Sequence, residues 1–210
     1  FDYWYGESDA YDYIPKVKEY LEEKNLLKDS EGAKVVFINK DTDKVEYPPL
    51  IFEKSNGAYL YESSDLGTIY QRMEDFNPDY ILYVTDARQA MHFEQVFRCA
   101  KKTGIVREET ELKHIGFGTM NGKDGKPFKT RDGGVMRLEE LVGDINDKMY
   151  GKIVENHAIE EEEAKATAKK VGLAALKYGD LSNQASKDYV FDVDRFISFE
   201  GNTGPYILYT

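Results

Sequence analysis

Residues 118–134 read GTMNGKDGKPFKTRDGG and combine five glycines with the cations Lys123, Lys126, Lys129 and Arg131 and the hydroxyl of Thr130. The glycines make this a loop and the cations make it basic, on a chain whose formal net charge is -11. Such a loop on an acidic body calls for an anionic partner, with phosphate the obvious candidate. The spacing excludes the common phosphate motifs. A Walker A loop requires glycine where Met120 stands and Ser or Thr where Pro127 follows Gly125–Lys126, and the glycines do not follow the G-x-G-x-x-G dinucleotide pattern.

Two further segments carry chemistry. In GAYLYESSDLG, Tyr61 and Asp65 are four apart, so a helical turn starting near residue 61 would point both the same way. A phenol and a carboxylate converging there would suit a cationic ligand; a tyrosine packing against an N-cap aspartate is the equally simple structural reading. In YILYVTDARQAMHFEQVF, an apolar run ends at Thr85–Asp86 and is followed by Arg88, Gln89 and His92. Sites in open α/β sheets lie beyond the C-terminal ends of strands, which favours these polar side chains. Gln89 would donate or accept, and His92 would stack on or hydrogen-bond to a base; a solvated Gln and a satisfied, buried His are the alternatives.

Other patterns are weaker. Asn39, Asp41 and Asp43 follow calcium-loop spacing, but Lys44 stands where the EF-hand needs glycine and the closing glutamate is misplaced. His92, His114 and His157 are far apart and fit no zinc spacing, so no metal site is expected. Cys99, the single cysteine, rules out a disulfide framework and reads as a small core residue.

The elements that must hold these residues alternate between classes. Residues 11–25 form an amphipathic pattern on Ile14, Val17, Tyr20 and Leu21 with Pro15 in the first turn. Short apolar runs at 35–38, 45–47, 50–52 and 58–61, the last two flanking Ser55–Asn56–Gly57, predict a small antiparallel or mixed sheet. A helix from 64 or 65 to 73, a strand at 80–84 and a helix at 88–102 follow. A strand at 115–117 then leads into the loop, completing a βαβ unit with a parallel sheet flanked by helices. The continuous apolar run 80–84 predicts a strand buried on both faces. Helices at 137–150 and 160–178 come next, the latter with Glu160–Glu163 at its start, Lys169, Lys170 and Lys177 toward its end and five alanines permitting close packing. Residues 189–199 are either strand or short helix.

The whole chain narrows the class. Its 210 residues suit one large domain or one plus part of a second. The net charge argues against a general nucleic-acid binder. No apolar run is long enough to span a bilayer and no signal peptide is visible, so a cytoplasmic, non-membrane protein is expected. The opening FDYWYGES, without initiator Met, and the closing GPYILYT suggest an excised piece of a longer protein.

Taken in order, FDYWYGESDAY, GAYLYESSDLG, YVTDARQAMHFEQVF, HIGFGTMNGKDGKPFKTRDGG, LKYGDLSNQASKDYVFDVDRF and FEGNTGPYILYT resemble the arginyl-tRNA synthetases, of class I, over essentially the full chain. The resemblance implies the second half of a Rossmann-like (HUP-type) catalytic domain, α/β, with a small mixed-sheet region. It places catalytic domain at 1–190, including the signature loop, and at 191–210 a junction toward a helical anticodon-binding domain. GKPFKTRDGG resembles the KMSKS loop, with Thr130 where a second lysine usually stands. That implies catalytic roles for Lys126, Lys129, Thr130 and Arg131 as a group, and a place beside ATP for Phe128. Tyr61, Asp65 and Gln89 resemble the set that reads the arginine side chain, and His92 with Phe93 the pair beside the adenosine, although Phe93 has an equally good reading as core. His114–Ile115–Gly116–Phe117 resembles the HIGH signature but stands directly before the loop, where a strand residue is the better reading.

The activity implied is that of arginine–tRNA ligase: ATP-dependent formation of arginyl-adenylate, then transfer to tRNA-Arg. ATP with Mg2+, L-arginine and tRNA-Arg are the expected ligands, and a monomer is expected. The chain alone, without an upstream HIGH segment, is expected to be inactive. A different nucleotidyltransferase and a non-catalytic nucleotide-binding remnant are the alternatives.

Overall fold

The computed structural model describes residues 1–126, 137–156 and 159–210. The chain divides into two compact units, Phe1–Gly116 and Phe117–Thr210, each with its own core.

The first unit opens with a 3-10 helix (Glu7–Tyr13) that runs into α1 (Ile14–Glu23), where Pro15 occupies the first turn. Ile14, Val17 and Leu21 recur at helical spacing and are buried, forming the stripe expected from the sequence. β1 (Lys28–Ser30), β2 (Ala33–Val36) and β3 (Leu50–Glu53) make a three-stranded antiparallel sheet in that order. The 55–57 turn returns the chain so that Tyr59 bridges Glu53, and α2 (Tyr61–Phe76) begins there. This helix starts earlier than 64–65 because Leu60 and Ser63 cap it: Leu60 N donates to Ser63 Oγ at 3.1 Å, and Ser63 Oγ donates to the Phe52 carbonyl of β3. It ends on Asn77 in the left-handed conformation (φ 44°), with Pro78 next.

β4 (Tyr80–Asp86), a 3-10 turn (Ala87–Gln89), α3 (Ala90–Thr103) and β5 (Glu111–Phe117) form the βαβ unit, with β4 and β5 hydrogen-bonded neighbours. The expectation of two-sided burial for the 80–84 run is corrected. Ile81 and Tyr83 are buried while Tyr80, Leu82 and Val84 are exposed. α3 covers one face, where Tyr83 meets Phe93 and Phe97 at ring separations of 4.8 and 5.4 Å, and the described residues of this unit put no second layer on the other.

The calcium-like segment is a turn staple instead. Asn39 exchanges two hydrogen bonds with the Tyr47 main chain, and Asp43 accepts from Lys40 N and from the Arg98 guanidinium of α3.

In the second unit β6 (Met120–Asn121) pairs in parallel with β7 (Tyr189–Val190). α4 (Leu138–Asn156) packs on α5 (Glu161–Leu181). The buried stripe of α5 is small (Ala164, Ala168, Gly172, Ala175, Gly179), so the larger Leu141, Ile145, Met149 and Ile153 of α4 can seat against it. α6 (Val193–Phe196) and α7 (Gly204–Tyr209) close the unit, α6 capped by Asp192. The segment left open between strand and helix, 189–199, is both in turn. No helix among the described residues is long and apolar enough to cross a membrane.

Candidate functional site

Four of the predicted residues, Tyr61, Asp65, Gln89 and His92, lie at the beginnings of two helices of the first unit. Tyr61 is the first residue of α2 and Asp65 stands one turn on, so the two share a face. Tyr61 is 72% exposed and lines a cavity of about 580 Å3 together with Glu7, Tyr11, Ile14, Lys54, Tyr59, Leu60 and Ser64. Ser64 Oγ donates to the Tyr61 carbonyl at 3.0 Å and lies 3.5 Å from Glu7 Oε1. The cavity wall thus carries one acidic group, Glu7, one basic group, Lys54, and the Ser64 hydroxyl, with the rings of Tyr11, Tyr59 and Tyr61 around them.

Asp65 meets His92 of α3. His92 Nε2 is 2.6 Å from Asp65 Oδ2, and His92 Nδ1 is 3.6 Å from Glu62 Oε1. The three side chains are partly buried, His92 21%, Asp65 25% and Glu62 27% exposed. The hydrogen bond to Asp65, then the Glu62 carboxylate, raise the His92 pKa to about 9, so the imidazole carries its proton at neutral pH. His92 in turn holds the Glu62 carboxyl below its usual range. Glu62 was not among the residues picked from sequence. Its i,i+3 spacing to Asp65 would have placed it on the same side of the helix, but its tie to His92 depends on how α2 and α3 pack.

Gln89 is exposed at the N-cap of α3, three residues before His92. Arg88 forks onto Asp86, Nε to Oδ1 at 2.9 Å and Nη2 to Oδ2 at 2.6 Å, while Asp86 caps the turn through the Arg88 N–H. That pair holds the Asp86 carboxyl down at about 2. Phe93 is core, 4% exposed, edge-on to His92 and stacked on His114 at 5.0 Å. His114 sits on β5 as a strand residue, its Nε2 2.9 Å from Thr85 Oγ1.

The basic loop belongs to the second unit. Its entry is pinned: Gly118 N donates to Ala185 O at 2.9 Å, Thr119 N to Asp188 Oδ1 at 2.7 Å, and Met120 pairs with Tyr189. A turn follows in which Gly122 N donates to Lys126 O and Gly125 takes φ +73°, a conformation open to glycine. Lys123 pairs with Asp192 at 3.2 Å, whereas Lys126 is exposed at the turn's end. Phe128, Lys129, Thr130 and Arg131 lie outside the described residues, as does His157. No cluster of three His, Cys, Asp or Glu that could hold a metal occurs among the described residues.

The model of the family described as tRNA synthetases class I (R), catalytic domain, matches residues 2–193. The arginine–tRNA ligase of Agathobacter rectalis is 63% identical over all of this chain and 36% of its own length, and that of Alkaliphilus oremlandii 59% over all of this chain and 36% of its own. The chain therefore spans little more than a third of the length of these curated relatives. Among solved structures, the Plasmodium falciparum arginyl-tRNA synthetase superposes with a TM-score of 0.78 at 29% identity, over 99% of this chain and 34% of that one. The Thermus thermophilus arginyl-tRNA synthetase shares the fold, with a TM-score of 0.72 at 19% identity over 97% of this chain and 39% of that one. The chain belongs to the class I arginyl-tRNA synthetases, as part of their catalytic domain.

Proposed function

We propose that this chain supplies the amino-acid pocket and the signature loop of an arginine–tRNA ligase. Class I tRNA synthetases use ATP. In the proposed reaction the arginine carboxylate oxygen bonds to the α-phosphorus of ATP and pyrophosphate leaves; a hydroxyl of tRNA-Arg then attacks the carbonyl carbon of the arginyl-adenylate, and AMP leaves as the ester forms. The observation that carries the reading is Asp65: a partly buried carboxylate one helical turn after Tyr61 at the start of α2, held by His92; the cavity is lined by Tyr61 and not by Asp65. A guanidinium has five donors in a plane and a permanent charge, and a carboxylate with a phenol beside it meets both requirements. Gln89, at the head of α3, is the third group assigned to that side chain.

Lys126, Lys129, Thr130 and Arg131 are assigned as a group to the phosphates, where cationic donors stabilise charge developing on the departing oxygens. The donor set suits a polyphosphate: Lys126 is exposed at a glycine turn, while Lys123 is already paired with Asp192. Phe128 is assigned to the nucleotide. Mg2+ is proposed to arrive with the phosphates and their water, since the described residues offer no cluster of metal ligands. The protein is proposed to act as a cytoplasmic monomer without membrane contact. Because the chain spans about a third of its relatives, the activity is proposed for the full-length protein, and this span alone is proposed not to activate arginine.

Pyrophosphate exchange in the full-length protein with cognate tRNA tests the reading. Arginine should support exchange and citrulline, equal in shape but uncharged, should not. Exchange that needs neither arginine nor tRNA would replace it with a different nucleotidyltransferase.

A further inference from the structure

We propose that His92 is a positioning residue for arginine recognition: bridging Glu62 and Asp65, it fixes the Asp65 carboxylate and sets the charge of the cluster that meets the guanidinium. The inference rests on the proposed role of Asp65 and adds a residue whose resemblance-based assignment was to the nucleotide.

The geometry gives the reason. Glu62 and Asp65 lie in the first turns of one helix, three residues apart, and their like charges repel across a partly buried surface. His92 comes from the other helix, 2.6 Å from Asp65 and 3.6 Å from Glu62, and its ring is fixed by the Phe93 ring set edge-on at 5.0 Å. The imidazolium cancels one of the two negative charges, and the remaining one matches the single positive charge of an arginine side chain. Asp65 Oδ2 is taken by His92, while Oδ1 accepts from no described residue. A carboxylate oxygen held in this way cannot swing between rotamers when a ligand arrives.

The same contacts argue against direct nucleotide readout. With both ring nitrogens protonated and facing carboxylates, His92 has no acceptor left for an adenine amino group. The pKa of about 9 agrees with this state. The other charged and titratable groups near the cluster are Lys54, which faces Glu62, and Tyr83, which faces Asp65 and lies under the Arg72 guanidinium at 5.0 Å.

The test compares His92→Ala, His92→Asn, His92→Gln and Asp65→Ala in the full-length protein, reading KM for arginine and for ATP separately. Loss of one charge-assisted hydrogen bond should raise the arginine KM about tenfold or more in His92→Ala, with the ATP KM changed less than about twofold. The Gln amide nitrogen can reach where Nε2 stood, and the Asn amide cannot. His92→Gln should therefore recover most of the loss, and His92→Asn, which keeps bulk and polarity, should not. That pair carries the test if the alanine variant does not fold. A larger rise in the ATP KM than in the arginine KM, or equal behaviour of Asn and Gln, would overturn the assignment. Asp65→Ala separates the two levels. If it leaves the arginine KM unchanged, the pocket reading itself falls; if it raises that KM and His92→Ala does not, only the role of His92 falls.

Discussion

Gly118 lies so close to the main chain of Lys187 that a Cβ placed on it would fall 2.2 Å from the Lys187 carbonyl carbon. The absence of a side chain there is what lets the entry of the basic loop dock on the segment leading to β7, through Gly118 N–Ala185 O and Thr119 N–Asp188 Oδ1. Gly118→Ala must push two stretches of backbone apart and should destabilise the protein by about 1–3 kcal/mol. Gly143 in α4 has open space around its Cβ position, so Gly143→Ala should instead stabilise by about 0.5–1 kcal/mol. Denaturant unfolding of the two variants checks the opposite signs; equal midpoints would contradict the packing described.

The start of α2 depends on Ser63, fully buried, whose Oγ accepts from Leu60 N and donates to Phe52 O. Ser63→Ala should cost about 1–2 kcal/mol by leaving the partly buried Leu60 amide and the buried Phe52 carbonyl short of a partner. Because Tyr61 opens that helix and Asp65 follows one turn on, the arginine KM of the full-length protein should also rise, by severalfold. A stability loss with no change in KM would show that the turn holds its shape without the cap.

His92 should hold its proton well above the usual histidine range, since Asp65 and Glu62 raise it to about 9. The folded pKa is higher than the unfolded one of about 6.5, so the stabilisation is complete below that pH and is lost as pH rises through about 9. Its size should be on the order of 2 kcal/mol. NMR titration of the histidine Cε1 signals, with His92→Gln for assignment, should find one ring still charged at pH 8. The stability difference between the wild type and His92→Gln should shrink between pH 7 and 10. Titration of His92 near 6.5 would contradict the ion pairs.

Cys99 is fully buried in α3, and burial pushes its thiol up to about 12. The thiolate is the reactive form, so a disulfide reagent at pH 8 should react slowly with the folded protein and promptly after unfolding. Prompt reaction under native conditions would place Cys99 at the surface.

Much of this arrangement could be read from residue order, and the exceptions share a cause. The i,i+4 relation of Tyr61 and Asp65 is local, and the helix delivers it. The stripe of α5 and the strand–helix–strand order at 80–117 follow from periodicity in the same way. The bond from Asp65 to His92 joins residues 27 apart in sequence, and no local pattern distinguishes that histidine from a base-stacking one. The pattern around Asn39, Asp41 and Asp43 is enough to set a calcium loop aside, but it cannot show that the partner of Asp43 is a guanidinium 55 residues later. The run Tyr80–Val84 shows a strand; which of its faces is covered depends on what packs there, and α3 covers only one. Residues Glu7–Tyr13 form a 3-10 helix with few apolar positions, and its Glu7 reaches the cavity only through the fold.

The central claim is that Asp65 reads the arginine side chain. Asp65→Ala in the full-length protein, assayed by aminoacylation of cognate tRNA, should raise the arginine KM about a hundredfold or more and leave the ATP KM within about threefold. Equal losses for the two substrates, or none for arginine, would contradict the claim.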